Sequence, residues 1–122
     1  MKTPITWFEL PVKDLARARG FYETVLSVSL HEEVFSGMPM ALFPYERGGV
    51  GGALIQDARH VPSRDGAVVY LDTGGALDAC LSRVAGAGGK VLMPRTDIGE
   101  PGFIAFVQDT EGNRVGLHMA RP

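Results

Sequence analysis

The sequence predicts an α+β fold built from two βαβββ modules. Short segments of alternating polarity indicate strands, two segments with helical spacing indicate helices, and the order strand, helix, three strands occurs twice. The halves share little sequence identity, so the repeat is one of element order. Neither half has enough strands to bury both of its faces, and pairing buries them jointly. We expect one domain, with module one at about 1–57, a linker at about 58–65 and module two at about 66–122.

The first module begins with a strand over Ile5–Val12, in which Trp7 and Glu9 share one face. Asp14 is a suitable N-cap for a helix that runs to about Leu26. Turn residues then separate three more predicted strands, which are Val28–Val34, Met38–Phe43 and Val50–Gln56.

The second module repeats this order after the linker. A strand over Ala67–Leu71 leads to a helix from about Ala76 to Ala85, which glycines terminate. The remaining predicted strands are Lys90–Met93, Phe103–Gln108 and Val115–Met119. Asp109–Asn113 is predicted as the turn between the last two strands.

Composition excludes several classes of function. The chain has 122 residues, a net charge of −2 and dispersed charges, and it lacks the basic run typical of nucleic-acid binding. Its apolar runs are too short to cross a membrane. The N-terminal segment lacks the features of a signal peptide, so a cytoplasmic location is expected. The single cysteine, Cys80, excludes an internal disulfide.

Two segments resemble the vicinal-oxygen-chelate (glyoxalase/bleomycin resistance/dioxygenase) superfamily. They are KDLARARGFYETVL, with Phe21 and Tyr22, and AGAGGKVLMPRTDIGEPGFIAFVQDTEGNRVGLH. TWFELPV together with EGNRVGLH is similar to its glyoxalase-related group, which is largely of unassigned function. The resemblance covers nearly the whole chain and implies cupped sheets around a cavity and a homodimer. Whether modules pair within one chain or swap between two stays open.

The resemblance also implies where a metal would be held, and the chain departs from that pattern. The four ligand positions fall on Trp7, near Val68 or Val69, within Gly52–Gln56, and on Gly116. Only Gln56 has a side chain able to coordinate a metal. We therefore predict no metal and no cofactor at this site.

Glu9 and His118 are the candidate catalytic residues. Each lies two residues beyond an expected ligand position, so each keeps the cavity face of its strand. A carboxylate beside an imidazole is able to act as an acid/base pair. The alternative is a structural ion pair between strands. We predict that the two side chains approach each other across neighbouring strands, whereas antiparallel strands would move them apart.

Trp7, Phe43, Gln56 and Phe103 are the candidate ligand-binding residues. Trp7 is suited to stacking on a flat ligand in the space that a metal would occupy, and core packing is its alternative role. Phe43 and Phe103 are suited either to an apolar pocket wall or to the ordinary core.

Three functions are compatible with these residues. One is metal-independent binding of a small-molecule ligand. Another is metal-dependent lyase, isomerase or dioxygenase chemistry of the glyoxalase type, for which most ligands are missing. The last is metal-free proton transfer by Glu9 and His118. The fold alone does not choose among them.

Overall fold

The computed structural model describes residues 3–122, which form two mixed four-stranded sheets and two helices. The predicted α+β fold with two βαβββ modules is thereby confirmed. The elements of the first module are β1 (Trp7–Pro11), α1 (Leu15–Leu26), β2 (His31–Phe35), β3 (Met38–Leu42) and β4 (Gly51–Ile55). Its sheet has the order β1-β4-β3-β2, with β1 parallel to β4 and the other pairs antiparallel.

The second module repeats this topology. Its elements are β5 (Tyr70–Asp72), α2 (Leu77–Val84), β6 (Lys90–Asp97), β7 (Phe103–Gln108) and β8 (Arg114–Met119). The order is β5-β8-β7-β6, and β5 runs parallel to β8. The edge strands of the first sheet are therefore β1 and β2, and those of the second sheet are β5 and β6.

β2 begins at His31, three residues later than predicted, and two strands of the second module also differ from the prediction. The first strand of module two is shorter and begins at Tyr70, although the carbonyl of Val69 already accepts from the Gly116 amide. β6 continues through Pro94 to Asp97, whereas the prediction ended it at Met93. Proline is tolerated there because β6 is an edge strand with register irregularities on both sides of Met93.

One hydrophobic core joins the modules. α1 packs its buried side chains against β3 and β4, and it also contacts α2. The predicted N-cap is present, since the Asp14 side chain accepts from the Arg17 amide at 3.0 Å. The Arg83 guanidinium of α2 donates to the carbonyl of Val25 at the end of α1, at 2.8 Å. No helix within residues 3–122 is long and apolar enough to span a bilayer.

The turn at 109–113 connects the second module to the first through buried polar groups. The Tyr22 hydroxyl donates to the Asp109 carboxylate at 2.6 Å, and the Asn113 amide donates to the Pro11 carbonyl at 2.7 Å. Burial and the facing carboxylate raise the pKa of Tyr22 well above its ordinary value, so the phenol keeps its proton and donates. This turn therefore helps to set the orientation of the two modules.

Glu111 is the buried anion of this junction. Its carboxylate accepts from the amides of Lys13 and Asp14 at 2.8 Å each, and from the Arg17 guanidinium at 2.8 and 3.0 Å. Burial alone would raise the pKa of Glu111, but the hydrogen bonds from Arg17, Thr110 and the two amides outweigh it and lower the pKa to about 2. The second module thus supplies a carboxylate to the N-terminus of α1.

Candidate functional site

A cavity of about 640 Å³ lies between the modules and is walled mainly by apolar side chains. Its lining residues come from β1, the end of α1, the end of β3, the approach to β4 and all of β5. They are Ile5, Trp7, Phe8, Leu26, Val28, Phe43, Pro44, Val50 and residues 67–72. The structure places two of the candidate ligand-binding residues, Trp7 and Phe43, in this wall. A volume of this size and an apolar lining are typical of small-molecule sites.

Side chains alternate along β1, and the cavity borders both faces of this edge strand, since Trp7 and Phe8 both line it. Phe8 turns toward the core and packs on Phe43 with ring centroids 5.4 Å apart, so Trp7 and Glu9 take the other face. Trp7 lies beside Gly51 of β4 and meets Tyr45 edge-on at 6.2 Å. A Cβ on Gly51 would lie 2.6 Å from the Tyr45 ring and 2.9 Å from the Trp7 ring. Glycine at this position therefore lets both rings cover β4.

The second module contains the equivalent arrangement. Tyr70 of β5 is aligned with Gly116 of β8, and a Cβ on Gly116 would lie 2.3 Å from the Tyr70 ring. In both modules, an aromatic ring on the first strand thus covers a glycine on the parallel neighbour. Trp7 is 40% exposed and Tyr70 is 46% exposed, so both rings present surface to a ligand.

Glu9 lies in a polar chain that includes part of the linker. One carboxylate oxygen accepts from the Trp7 indole at 3.3 Å, and the other lies 3.9 Å from Nε2 of His60. Nδ1 of His60 is 3.0 Å from the carboxylate of Asp57, which also accepts from Arg59. Burial opposes ionisation of Asp57, but the hydrogen bonds from Arg59 and His60 outweigh it and lower its pKa. Asp57 is therefore an acceptor, and Nδ1 of His60 carries the hydrogen.

The expected contact between Glu9 and His118 does not form. His118 lies on β8 of the other sheet, where its Nε2 contacts the Pro101 carbonyl at 2.7 Å. No hydrogen bond or ion pair joins it to Glu9 within the described residues. The equal offsets from the expected ligand positions fail to bring them together because each strand pairs within its own sheet.

Two further candidate residues lie elsewhere. The side-chain oxygen of Gln56 accepts from the Leu15 amide at 2.8 Å, so it caps α1, and its remaining surface faces a separate cavity beside the linker. Two guanidinium groups contact the Phe103 ring, with Arg95 at 4.2 Å and Arg121 at 4.7 Å from its centroid. Neither residue lines the cavity between the modules.

The residues at the expected ligand positions do not fit a metal. Trp7, Gly116 and the valines of the second module offer no ligand atom, and Gln56 is engaged at α1. Among residues 3–122, no three His, Cys, Asp or Glu side chains are arranged to hold an ion.

Sequence reasoning missed Asp57, His60, Tyr45 and Asp72. Asp57 falls at the predicted end of module one and His60 in the predicted linker, whose path over β1 has no periodic signal. Tyr45 follows Pro44 in a loop, and Asp72 comes directly after the predicted strand Ala67–Leu71. The spacing of Asp72 from Tyr70, identical to that of Glu9 from Trp7, was the available signal.

The match to a family model decides the relationship. Residues 5–117 match the model described as "Glyoxalase/Bleomycin resistance protein/Dioxygenase superfamily". The chain belongs to this superfamily. Curated members that it resembles include "Putative glyoxylase CFP32" of Mycobacterium bovis and of Mycobacterium tuberculosis, each 27% identical over 119 residues, or 93% of this chain. The chain spans 44% of the length of either relative.

Solved structures of the superfamily share the fold. A glyoxalase/bleomycin resistance protein from Albidiferax ferrireducens aligns with a TM-score of 0.71 at 14% identity, covering 98% of this chain and 100% of that one. The fosfomycin resistance protein FosX of Listeria monocytogenes aligns with a TM-score of 0.72 at 16% identity, covering 99% and 94%. At these identities the superfamily members support the fold and leave the ligand to be argued from the site.

Proposed function

We propose that this chain binds a small, largely apolar molecule in the cavity between its modules, without a metal. The observation that carries the proposal is the pair of exposed aromatic rings, Trp7 and Tyr70, in the wall of a cavity of about 640 Å³. At two of the expected metal-ligand positions the chain has Trp7 and Gly116, whose side chains offer no atom to coordinate a metal. Apolar surface and aromatic faces supply affinity for a ligand's body, and few polar groups remain to orient it.

The single tryptophan makes binding measurable. Trp7 lines the cavity, so a bound naphthyl probe accepts its excitation energy and quenches its emission. We expect saturable quenching by N-phenyl-1-naphthylamine, a neutral apolar probe. The absence of saturable quenching, together with no thermal stabilisation by the probe, contradicts the proposal.

Two exposed valines provide matched variants. Val50 lines the cavity and Val61 lies outside it, in the linker. Val50→Arg should weaken probe binding by about tenfold or more, because the probe must then displace water from a guanidinium. Val61→Arg should leave binding unchanged. Equal effects of the two variants would place the probe elsewhere.

A homodimer in the cytoplasm is the assembly that we propose. Its support is the half-exposed Phe35 on the edge strand β2, which lies beside the partly buried Met38 on the same face of the sheet as the buried Met40. Light scattering should give twice the chain mass of 13.1 kDa. Phe35→Lys should weaken the dimer more than Val34→Lys, which lies on the opposite face of β2. A monomeric wild-type mass contradicts this assembly.

Metal-free proton transfer is a second candidate function, favoured by the chain Asp57, His60 and Glu9. Asp57 orients the imidazole with Nδ1 protonated, which leaves Nε2 directed at Glu9. His60 thus takes the place that the sequence assigned to His118. Exchange of the C–H hydrogens of dihydroxyacetone in D₂O tests this chemistry. Exchange that is catalysed by the wild type and lost in His60→Asn supports it, and equal rates contradict it.

A further inference from the structure

Resting on the proposed function, we infer that the cavity between the modules selects ligands that carry an organic cation, such as a quaternary ammonium group, on an apolar body. The first strands of both modules carry the same pattern, an aromatic residue followed two positions later by an acid. The pattern is Trp7-Phe8-Glu9 in β1 and Tyr70-Leu71-Asp72 in β5. Because strand side chains alternate, each aromatic ring and its acid lie on one face of the sheet.

The rings supply faces suited to a cation. Trp7 and Tyr70 both line the cavity and remain 40% and 46% exposed. Tyr45, which is not a lining residue, meets Trp7 at an interplanar angle of 84° and so supports the indole from outside the cavity. The negative faces of aromatic rings attract ammonium groups, and tryptophan is the strongest of them.

The charge of the wall has one sign. Among the lining residues that the structure describes, Asp72 is the one carboxylic acid, and none is Lys, Arg or His. Asp72 accepts from the Gly74 amide at 2.9 Å and has no ion-pair partner in the described part of the chain. His118 is aligned with Asp72 on β8, but its Nε2 faces the Pro101 carbonyl. The carboxylate is therefore free to attract a ligand's cation.

Glu9 adds a second negative charge beside the indole. Its carboxylate accepts from Trp7 Nε1 at 3.3 Å, while His60 lies on its far side at 3.9 Å. An anionic ligand would meet the Asp72 carboxylate in the wall and no compensating cation there, and the Glu9 carboxylate lies behind the Trp7 indole, outside the lining residues. The arrangement thus discriminates by charge, whereas the apolar lining alone does not.

Two isosteric probes isolate the charge. (3-Hydroxyphenyl)trimethylammonium and 3-tert-butylphenol have nearly the same shape and differ by one positive charge. Titration calorimetry should show that wild type binds the cation about tenfold more tightly than the neutral phenol. Asp72→Asn should remove most of this preference and leave affinity for the neutral phenol unchanged, since asparagine keeps the oxygen that accepts from Gly74. Asp65→Asn, an exposed acid outside the cavity, is the matched control and should change neither affinity.

The outcomes separate this inference from the proposed function. Equal binding of both probes to wild type overturns the cation preference and leaves the cavity as a binding site. An unchanged preference in both Asp72→Asn and Glu9→Gln also overturns it, and Glu9→Gln serves alone if the first variant does not fold. If neither probe binds and the neutral naphthylamine does not quench Trp7, the proposed function fails as well.

Discussion

Replacing Glu111 with Gln tests how the two modules are held together. The carboxylate of Glu111 is fully buried and receives hydrogen bonds from two amides of the first module and from Arg17. Gln keeps one acceptor oxygen, loses the charge and presents an NH₂ group to donors. We expect the variant to fold with a lower free energy of unfolding at neutral pH.

The magnitude follows from the pKa of Glu111, which falls from its ordinary value of 4.5 to about 2. Each pKa unit is worth about 1.4 kcal/mol, so ionised Glu111 contributes about 3 kcal/mol at pH 7. Because the folded pKa is the lower one, this stability is present above the unfolded pKa and is lost as the pH falls toward the folded pKa. About 2 kcal/mol of it should be lost by pH 3.

Urea unfolding at pH 7, 5, 4 and 3 measures this dependence. The difference in unfolding free energy between wild type and Glu111→Gln should shrink by about 2 kcal/mol between pH 7 and pH 3. Taking the difference cancels the other acids whose pKa values are lowered. Glu100→Gln, in an exposed loop, is the control and should show no such change. A wild-type-minus-variant difference that does not vary with pH would refute the reasoning.

Three other expected outcomes concern the buried structure. Tyr22→Phe leaves the Asp109 carboxylate without its hydroxyl donor and should cost about 1–3 kcal/mol in urea unfolding, with an unchanged stability contradicting the junction. Gly52→Ala places a Cβ 2.2 Å from a phenyl ring and should cost about 1–3 kcal/mol, whereas Gly20→Ala, in a helix with open space, should be neutral or stabilising. A larger loss of unfolding free energy in Gly20→Ala than in Gly52→Ala would contradict this packing. Burial raises the pKa of the Cys80 thiol, so Ellman's reagent should label it only as fast as the chain unfolds, and rapid labelling of folded protein would contradict its burial.

Local patterns predicted the fold well because they record how each element is buried. The spacing of apolar residues and the Asp14 cap predicted α1, and the cap is made as expected. Alternation along β1 placed Trp7 and Glu9 on one face, which the register confirms. These signals lie within one element and need no knowledge of its neighbours.

The contacts between modules could not be predicted in the same way. Glu111 was read as part of a turn, since its partners Lys13, Asp14 and Arg17 are more than ninety residues away in sequence. The partner of Glu9 proved to be His60 because the linker folds back over β1, a path that leaves no periodic signal. Gln56 accepts a hydrogen bond from the Leu15 amide at the N-terminus of α1, where the first amides have no partner within the helix. Its side chain is therefore not available to the cavity between the modules.

Mapping amide chemical shifts during titration with 3-tert-butylphenol tests the location of the site most directly. We expect saturable chemical-shift changes in both modules, at Phe43 and Val50 of the first and at 68–72 of the second. Amides near Phe103 should stay unchanged. Shifts confined to one module, or centred on Phe103 or on residues 57–61, would contradict a ligand site between the modules.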